Sequence, residues 1–313
     1  MLPIVKLETR TYFLIAIQCA LFGTVFVFSK QVIPPLNTVT YFFLRSVIGT
    51  IFLSTVLFGL KSFGAFISTF KQNWKYLLFN SLVLYTGSIL LVFAGTPYTT
   101  ASHQVIINNF YIVIVILIST GIYHQKPSKY MTLGSVINFI GIMLLILPLD
   151  LATNPTLMGD LITIGGVILA AVFNFSFKKM SQKMHPLHVS LILCLFPGIF
   201  LLALMLVLGP FTYGLLSFQL SPLQWFYICW LGIGLTGLGN TVMSIVYKDK
   251  AMTPERMGFI STLYPIIGVA ISVAFFGESL TVFAIIGMIL VLSSLFIANI
   301  TKKEEEKNKN HAS

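Results

Sequence analysis

Thr253-Pro254-Glu255-Arg256, followed by an apolar run through Ser261-Thr262-Leu263-Tyr264-Pro265 to Gly277-Glu278-Ser279-Leu280-Thr281, is the stretch on which the reading of this chain turns. It predicts a cytoplasmic cap, a membrane-crossing helix bent at Pro265, and a short turn into the next helix. A weaker copy stands earlier: Thr99-Thr100-Ala101, then an apolar run ending at Tyr123-His124-Gln125-Lys126-Pro127. In that copy Tyr111 takes the place of Pro265, and His124 that of Glu278. A pattern stated twice predicts a duplicated fold.

Composition fixes the class. Of 313 residues, 57% are hydrophobic and only 9% charged, with a mean hydropathy of +0.93; globular domains carry about 25% charged residues. The apolar runs are long and continuous rather than alternating, which favours spanning helices over a closed barrel. The expectation is an all-α polytopic membrane protein with about ten transmembrane helices, over 11–29, 38–60, 75–94, 98–122, 130–148, 159–179, 187–208, 222–246, 254–276 and 280–299. The stretch from Leu60 to Trp74 mixes Lys61, Lys71 and Phe63, Phe66, Phe70, and predicts a short helix lying on the cytoplasmic surface.

With the N-terminus inside, this order places all of the 19 Lys and Arg except Lys30 and Arg45 on the cytoplasmic side. That sorting predicts a multi-pass protein, of the plasma membrane, with both termini cytoplasmic. The net charge of +10 belongs to residues facing anionic lipid and calls for no nucleic-acid partner. Cys19, Cys194 and Cys229 fall in spans without paired spacing and read as small buried hydrophobes.

The loop at 149–158 divides the chain into a first five-helix repeat at 11–148 and a second at 159–299, with a cytoplasmic tail at 300–313. Five is odd, so the second repeat enters from the opposite face, and the two repeats are inverted. Smaller traces agree. Trp74-Lys75-Tyr76 opens the third span and Trp225-Phe226-Tyr227 the eighth, while Gly141 and Gly287 both sit in the span that closes a repeat.

On these residues the chain resembles the EamA-type transporters of the drug/metabolite transporter superfamily, from about Tyr12 to Ala298. The resemblance is carried by Phe22-Gly23 and Ser29-Lys30 in span one, Arg45 in span two and Gly159-Asp160 opening span six. Thr253-Pro254-Glu255-Arg256 and Leu263-Tyr264-Pro265 in span nine, and Gly277-Glu278-Ser279-Leu280 leading to Gly287, complete it. It implies two inverted five-helix repeats, a central cavity, and transport of small organic metabolites by alternating access. The first repeat departs from the pattern at Tyr111 and His124, and Cys194 stands near the place of a counterpart to Arg45.

Arg45 lies about seven residues, or about 10 Å, into its span. An isolated charge there costs about 2.5–3.5 kcal/mol even on translocon scales. Two readings stand: the side chain snorkels to the surface or binds helix-end carbonyls, or it attracts a substrate carboxylate or phosphate. Thr100, His103, Gln104, Asn108 and Tyr111 recur at three- and four-residue spacing on one face of span four. They either bond neighbouring helices or line the pathway, where His103 is able to exchange protons. Tyr85, Asn240 and Tyr264 are further pathway candidates, and Pro265 is the candidate kink and gate. Gln18, Asn138 and Asn174 read as interhelical glue. Gly232, Gly234, Gly237 and Gly239 thin span eight for close packing, or for a hinge.

Catalysis finds no support, since the chain shows no intramembrane carboxylate pair, nucleophile constellation, metal cluster or phosphate loop. No cofactor or metal is expected. The expected partners are the lipid bilayer and a small-molecule metabolite; nothing in the sequence bears on an oligomeric state. The function expected is a non-ATP secondary transporter of small metabolites such as amino acids or related compounds. The alternative is a receptor or membrane-complex subunit that transports nothing.

Overall fold

The computed structural model describes residues 9–32, 36–95, 98, 107–108, 110–122, 124, 128–145, 157–208, 220–276 and 281–299. Within them the chain forms ten helical rods: α1 Thr9–Val32, α2 Thr38–Gly59, α3 63–95, α4 Tyr111–Gly121, α5 Lys129–Leu145, α6 Leu157–Lys183, α7 Pro186–Leu208, α8 222–246, α9 254–276 and α10 Val282–Asn299. Seven rods are long and apolar enough to cross a membrane, and α4, α5 and α10 are shorter apolar helices.

Local chemistry sets the helix starts. The Asn37 side chain accepts from the Thr40 N–H at 2.8 Å and caps α2. Ser221 and Gln224 form a reciprocal capping box on α8, with Pro222 in the first turn. Thr253 caps α9 ahead of Pro254, so the Thr-Pro-Glu-Arg stretch is a helix start, as its order predicts. Lys61 sits at φ 53°, in the left-handed region, and turns α2 sharply into α3.

Three rods are irregular. The amphipathic segment carrying Phe66 and Phe70 forms a helix from Phe63 that a kink at Asn73 (φ −129°, ψ 18°) separates from the span after it, so the short helix expected before that span is present. α3 and α8 each contain a π-helical stretch, Phe79–Thr86 and Trp230–Gly239. In each, a threonine hydroxyl donates to the carbonyl five residues earlier: Thr86 to Ser81 at 2.7 Å and Thr236 to Leu231 at 3.0 Å. α9 breaks at Thr262, between Pro254–Ser261 and Leu263–Phe276. Pro265 has no N–H to offer the carbonyl four residues back, and the break falls one residue beyond that carbonyl.

Packing runs pairwise through the bundle. α5 lies along α10, α2 along α7, α3 against α6 and α1 against α8 and α9; α4 touches α6 and α9. Small residues set the closest crossings. A Cβ on Gly141 would meet the Gly287 carbonyl and Val291 at 2.9 Å, and one on Gly166 would meet the Ser88 carbonyl at 2.8 Å. The glycines of α8 pack closely: Gly232 faces Ile48 and the Arg45 carbonyl, and Gly239 faces Phe22. One apolar cluster gathers Phe177, Met180, Tyr247 and Met252, and another gathers Val32, Tyr41, Tyr227 and Ile228.

Candidate functional site

Polar residues are buried within this apolar bundle in two groups. The first surrounds Arg45 on α2, which is 7% exposed and therefore does not reach the surface. Its Nη1 donates to the Tyr41 hydroxyl at 3.2 Å, one helical turn earlier, and that hydroxyl also pairs with Ser29 on α1 at 2.5 Å. The guanidinium carbon lies 4.8 Å from the Phe42 ring centre and 5.6 Å from that of Tyr41. These are cation–π distances and hold the planar group in place. The Tyr85 hydroxyl of α3 interacts with both Arg45 and Asn240 of α8. Asn240 is anchored through its amide nitrogen to the Thr236 carbonyl at 3.0 Å.

A small pocket opens on this group, with Arg45, Ser46, Tyr85 and Thr86 as its polar members and Phe42, Ile89 and Leu201 among its apolar walls. Pro197 of α7 also borders it. Among the described residues no carboxylate pairs with Arg45, and its Nε has no hydrogen-bond partner. Four helices thus supply the site: α2, α3, α7 and α8. An arginine this deep, with no acid beside it among the described residues, leaves a positive charge facing the pocket.

The second group is a hydrogen-bonded knot. The Asn174 amide of α6 donates to the Tyr111 hydroxyl of α4 and, at 3.3 Å, to the Pro254 carbonyl of α9. Its oxygen accepts from the Tyr247 hydroxyl at the end of α8. Beside it, Gln18 of α1 donates to the Tyr264 hydroxyl at 2.8 Å, and Tyr264 stacks on Phe22 at 5.0 Å. Glu255, 5% exposed, interacts with Lys178, Arg256, Tyr111 and Tyr247, and its Oε1 accepts no hydrogen bond.

The candidates read from sequence therefore separate. Arg45, Tyr85 and Asn240 converge on the pocket; Tyr111 and Tyr264 belong to the knot. Pro265 lies at the break in α9, and Asn108 is exposed. His103 and Gln104 lie outside the described residues, as does the 277–280 turn. Gln18 and Asn174 bond between helices, and so does Asn138, which donates to Thr262 and Ser294 at 3.0 Å each. The three cysteines are unpaired, with Cys19 and Cys194 buried. Sequence reading did not single out Tyr41, Phe42, Tyr247 or the burial of Glu255. Tyr41 was within reach of it, since it precedes Arg45 by one helical turn on the same face. No group of three or more His, Cys, Asp or Glu among the described residues is placed to hold a metal.

A bundle of long apolar helices with a charged, partly unsatisfied interior defines the class: a multi-pass integral membrane protein built around a polar interior. The chain belongs to the EamA-like transporter family, whose model matches it twice, at residues 9–147 and 157–300. It is similar to the uncharacterized transporter YetK of Bacillus subtilis (strain 168), with 24% identity over 312 residues that cover 97% of this chain and 91% of the relative. Its fold is similar to that of a solved structure described as "Crystal structure of protein", with a TM-score of 0.74 and 12% identity, covering 94% of this chain and 98% of the other. The chain is thus a membrane transporter, and family and relative alike point away from an enzyme.

Proposed function

We propose that the chain is a secondary transporter of small organic metabolites, such as amino acids or related compounds, working by alternating access. In this reading 11–148 and 159–299 are inverted five-helix repeats joined by 149–158. The protein sits in the plasma membrane with both termini cytoplasmic, and the substrate enters a central cavity between the repeats. The observation that carries the reading is the buried Arg45 group, which draws α2 and α3 from one half and α7 and α8 from the other.

Helix pairing supports the two halves. Exchanging each helix with the one five later turns α3–α6 into α8–α1 and α4–α6 into α9–α1, and leaves α2–α7 and α5–α10 unchanged; all of these pairs pack. The π-helical stretches likewise fall in the third helix of each half. The Asn174 knot and the kink at Pro265 then serve as a gate at the opposite end of the pathway from Arg45.

The test is metabolite profiling of cells overexpressing the chain, against cells with Arg45→Ala at matched amounts of folded protein. One chemical class of solute should shift with the native chain and not with the variant. Unchanged levels across a broad panel would overturn transport in favour of a receptor or assembly role.

A further inference from the structure

At one end of the bundle the first part of α3 crosses the last part of α6. The Tyr76 and Ser176 hydroxyls pair there at 2.7 Å. Beside them, the Lys179 ammonium of α6 lies 5.8 Å from the centre of the Tyr76 ring. Lys75, the neighbour of Tyr76 in the chain, holds its own ammonium 5.6 Å from the Trp74 ring. Both are cation–π distances, so aromatic faces steady two lysines that otherwise wander in solvent. Lys75 and Lys179 are exposed, and so are Lys71 and Lys183, about one helical turn further out on each rod.

The helices around them offer little to neutralise these charges. α3 and α7 contain no Asp or Glu, and α6 contains only Asp160, which precedes Lys179 by 19 residues, about 28 Å along a helix. That is several times the Debye length of about 8 Å at physiological salt. Glu255 of α9 interacts with the half-buried Lys178, whereas the next residue, Lys179, lies out over Tyr76. An anion from outside the chain is therefore the natural complement of this surface.

The neighbouring residues favour a lipid over a soluble anion. Tyr76, Phe79 and Val83 recur at three- and four-residue spacing along α3, and all are exposed. They form an apolar track that leads from the lysines into the membrane-crossing part of the rod. A free phosphate engages only the ammonium groups. An anionic phospholipid engages them with its head and covers the track with an acyl chain.

We propose that the crossing of α3 and α6 is a binding site for an anionic phospholipid. Its phosphate is held by Lys75 and Lys179, and one acyl chain lies along Tyr76, Phe79 and Val83. Because the two lysines stand on different rods, the bound lipid braces α3 to α6 beside the Tyr76–Ser176 bond. The site is on the outer face of the bundle and stands apart from any substrate at Arg45.

Native mass spectrometry of the purified full chain in detergent, titrated with phosphatidylglycerol or with zwitterionic phosphatidylcholine, tests the site. Lys75→Gln/Lys179→Gln should weaken retention of phosphatidylglycerol about tenfold or more and leave phosphatidylcholine unchanged. Lys248→Gln/Lys250→Gln removes the same charge from another exposed stretch and should retain phosphatidylglycerol as the native chain does. Lys75→Gln and Lys179→Gln alone should each lose part of the retention, and they decide the matter if the double variant does not fold. In a melting experiment, phosphatidylglycerol should raise the Tm of the native chain, and inorganic phosphate should not. Undiminished retention in the folded double variant, or in both single variants, overturns the proposal. Equal loss in Lys248→Gln/Lys250→Gln also overturns it, by showing diffuse attraction instead of a site. So does a rise in Tm with inorganic phosphate as large as that with the lipid.

Discussion

Asn174 joins four helices through one amide: its own α6, Tyr111 on α4, Pro254 on α9 and Tyr247 on α8. An interhelical hydrogen bond in a membrane protein contributes about 0.6–2 kcal/mol, and the buried Tyr247 hydroxyl and half-buried Tyr111 hydroxyl left unpaired add to the loss. Asn174→Ala should therefore destabilise the fold by about 2 kcal/mol, read as a lowered Tm in detergent, whereas Asn108→Ala, at an exposed position, should leave Tm unchanged. If both variants melt together with the native chain, the knot contributes nothing to stability. At this scale the sequence was legible for residues whose chemistry is unusual in a membrane. Arg45 and Asn174 stand out in an apolar run, and the structure gives each a buried role. Their partners were not legible, because Tyr111 and Tyr247 lie 63 and 73 residues from Asn174 and spacing along one helix carries no information about another.

Between elements, the closest approaches fall where glycine faces backbone. At Gly141 an added Cβ would meet the Gly287 carbonyl and the Val291 nitrogen at 2.9 Å, and backbone cannot swing aside as a side-chain tip can. Gly141→Leu should drive α5 from α10 and sharply reduce the yield of monodisperse protein in size-exclusion chromatography. Gly64→Leu, which faces open space, should not; equal yields would show that the α5–α10 contact is dispensable. The capping residues at Thr253 and the proline at 265 made the start of α9 and its bend readable in advance. The π-helical stretches were not readable. An inserted residue leaves the composition of α3 and α8 apolar, and the hydroxyl bonds from Thr86 and Thr236 that accompany it look like ordinary threonines in a span. The amphipathic start of α3 was legible as a helix apart from the span, because its Lys and Phe pattern changes at Trp74, and the chain kinks beside it at Asn73.

For the whole molecule, the sorting of Lys and Arg predicts that both ends lie on one face of the membrane. Epitopes placed before Thr9 and after Asn299 should both be reached by antibody only after the cells are permeabilised. Labelling of one end in intact cells would break the odd-parity halves on which the proposed cavity depends. The helical bundle was legible from hydropathy alone. Which helix packs on which was not, since partners such as α2 and α7 are brought together by tertiary packing across more than a hundred residues.

The α5–α10 pair bears on how the chain is made. Gly134 and Gly141 of α5 are shaped for Ala298 and Gly287, residues that leave the ribosome only after the four helices between α5 and α10. Until then α5 waits in the bilayer with its notched face unfilled. Closure of the α5 face therefore waits for α10, and a chain stopped short of α10 would carry that open notch as a mark for the cell's disposal machinery.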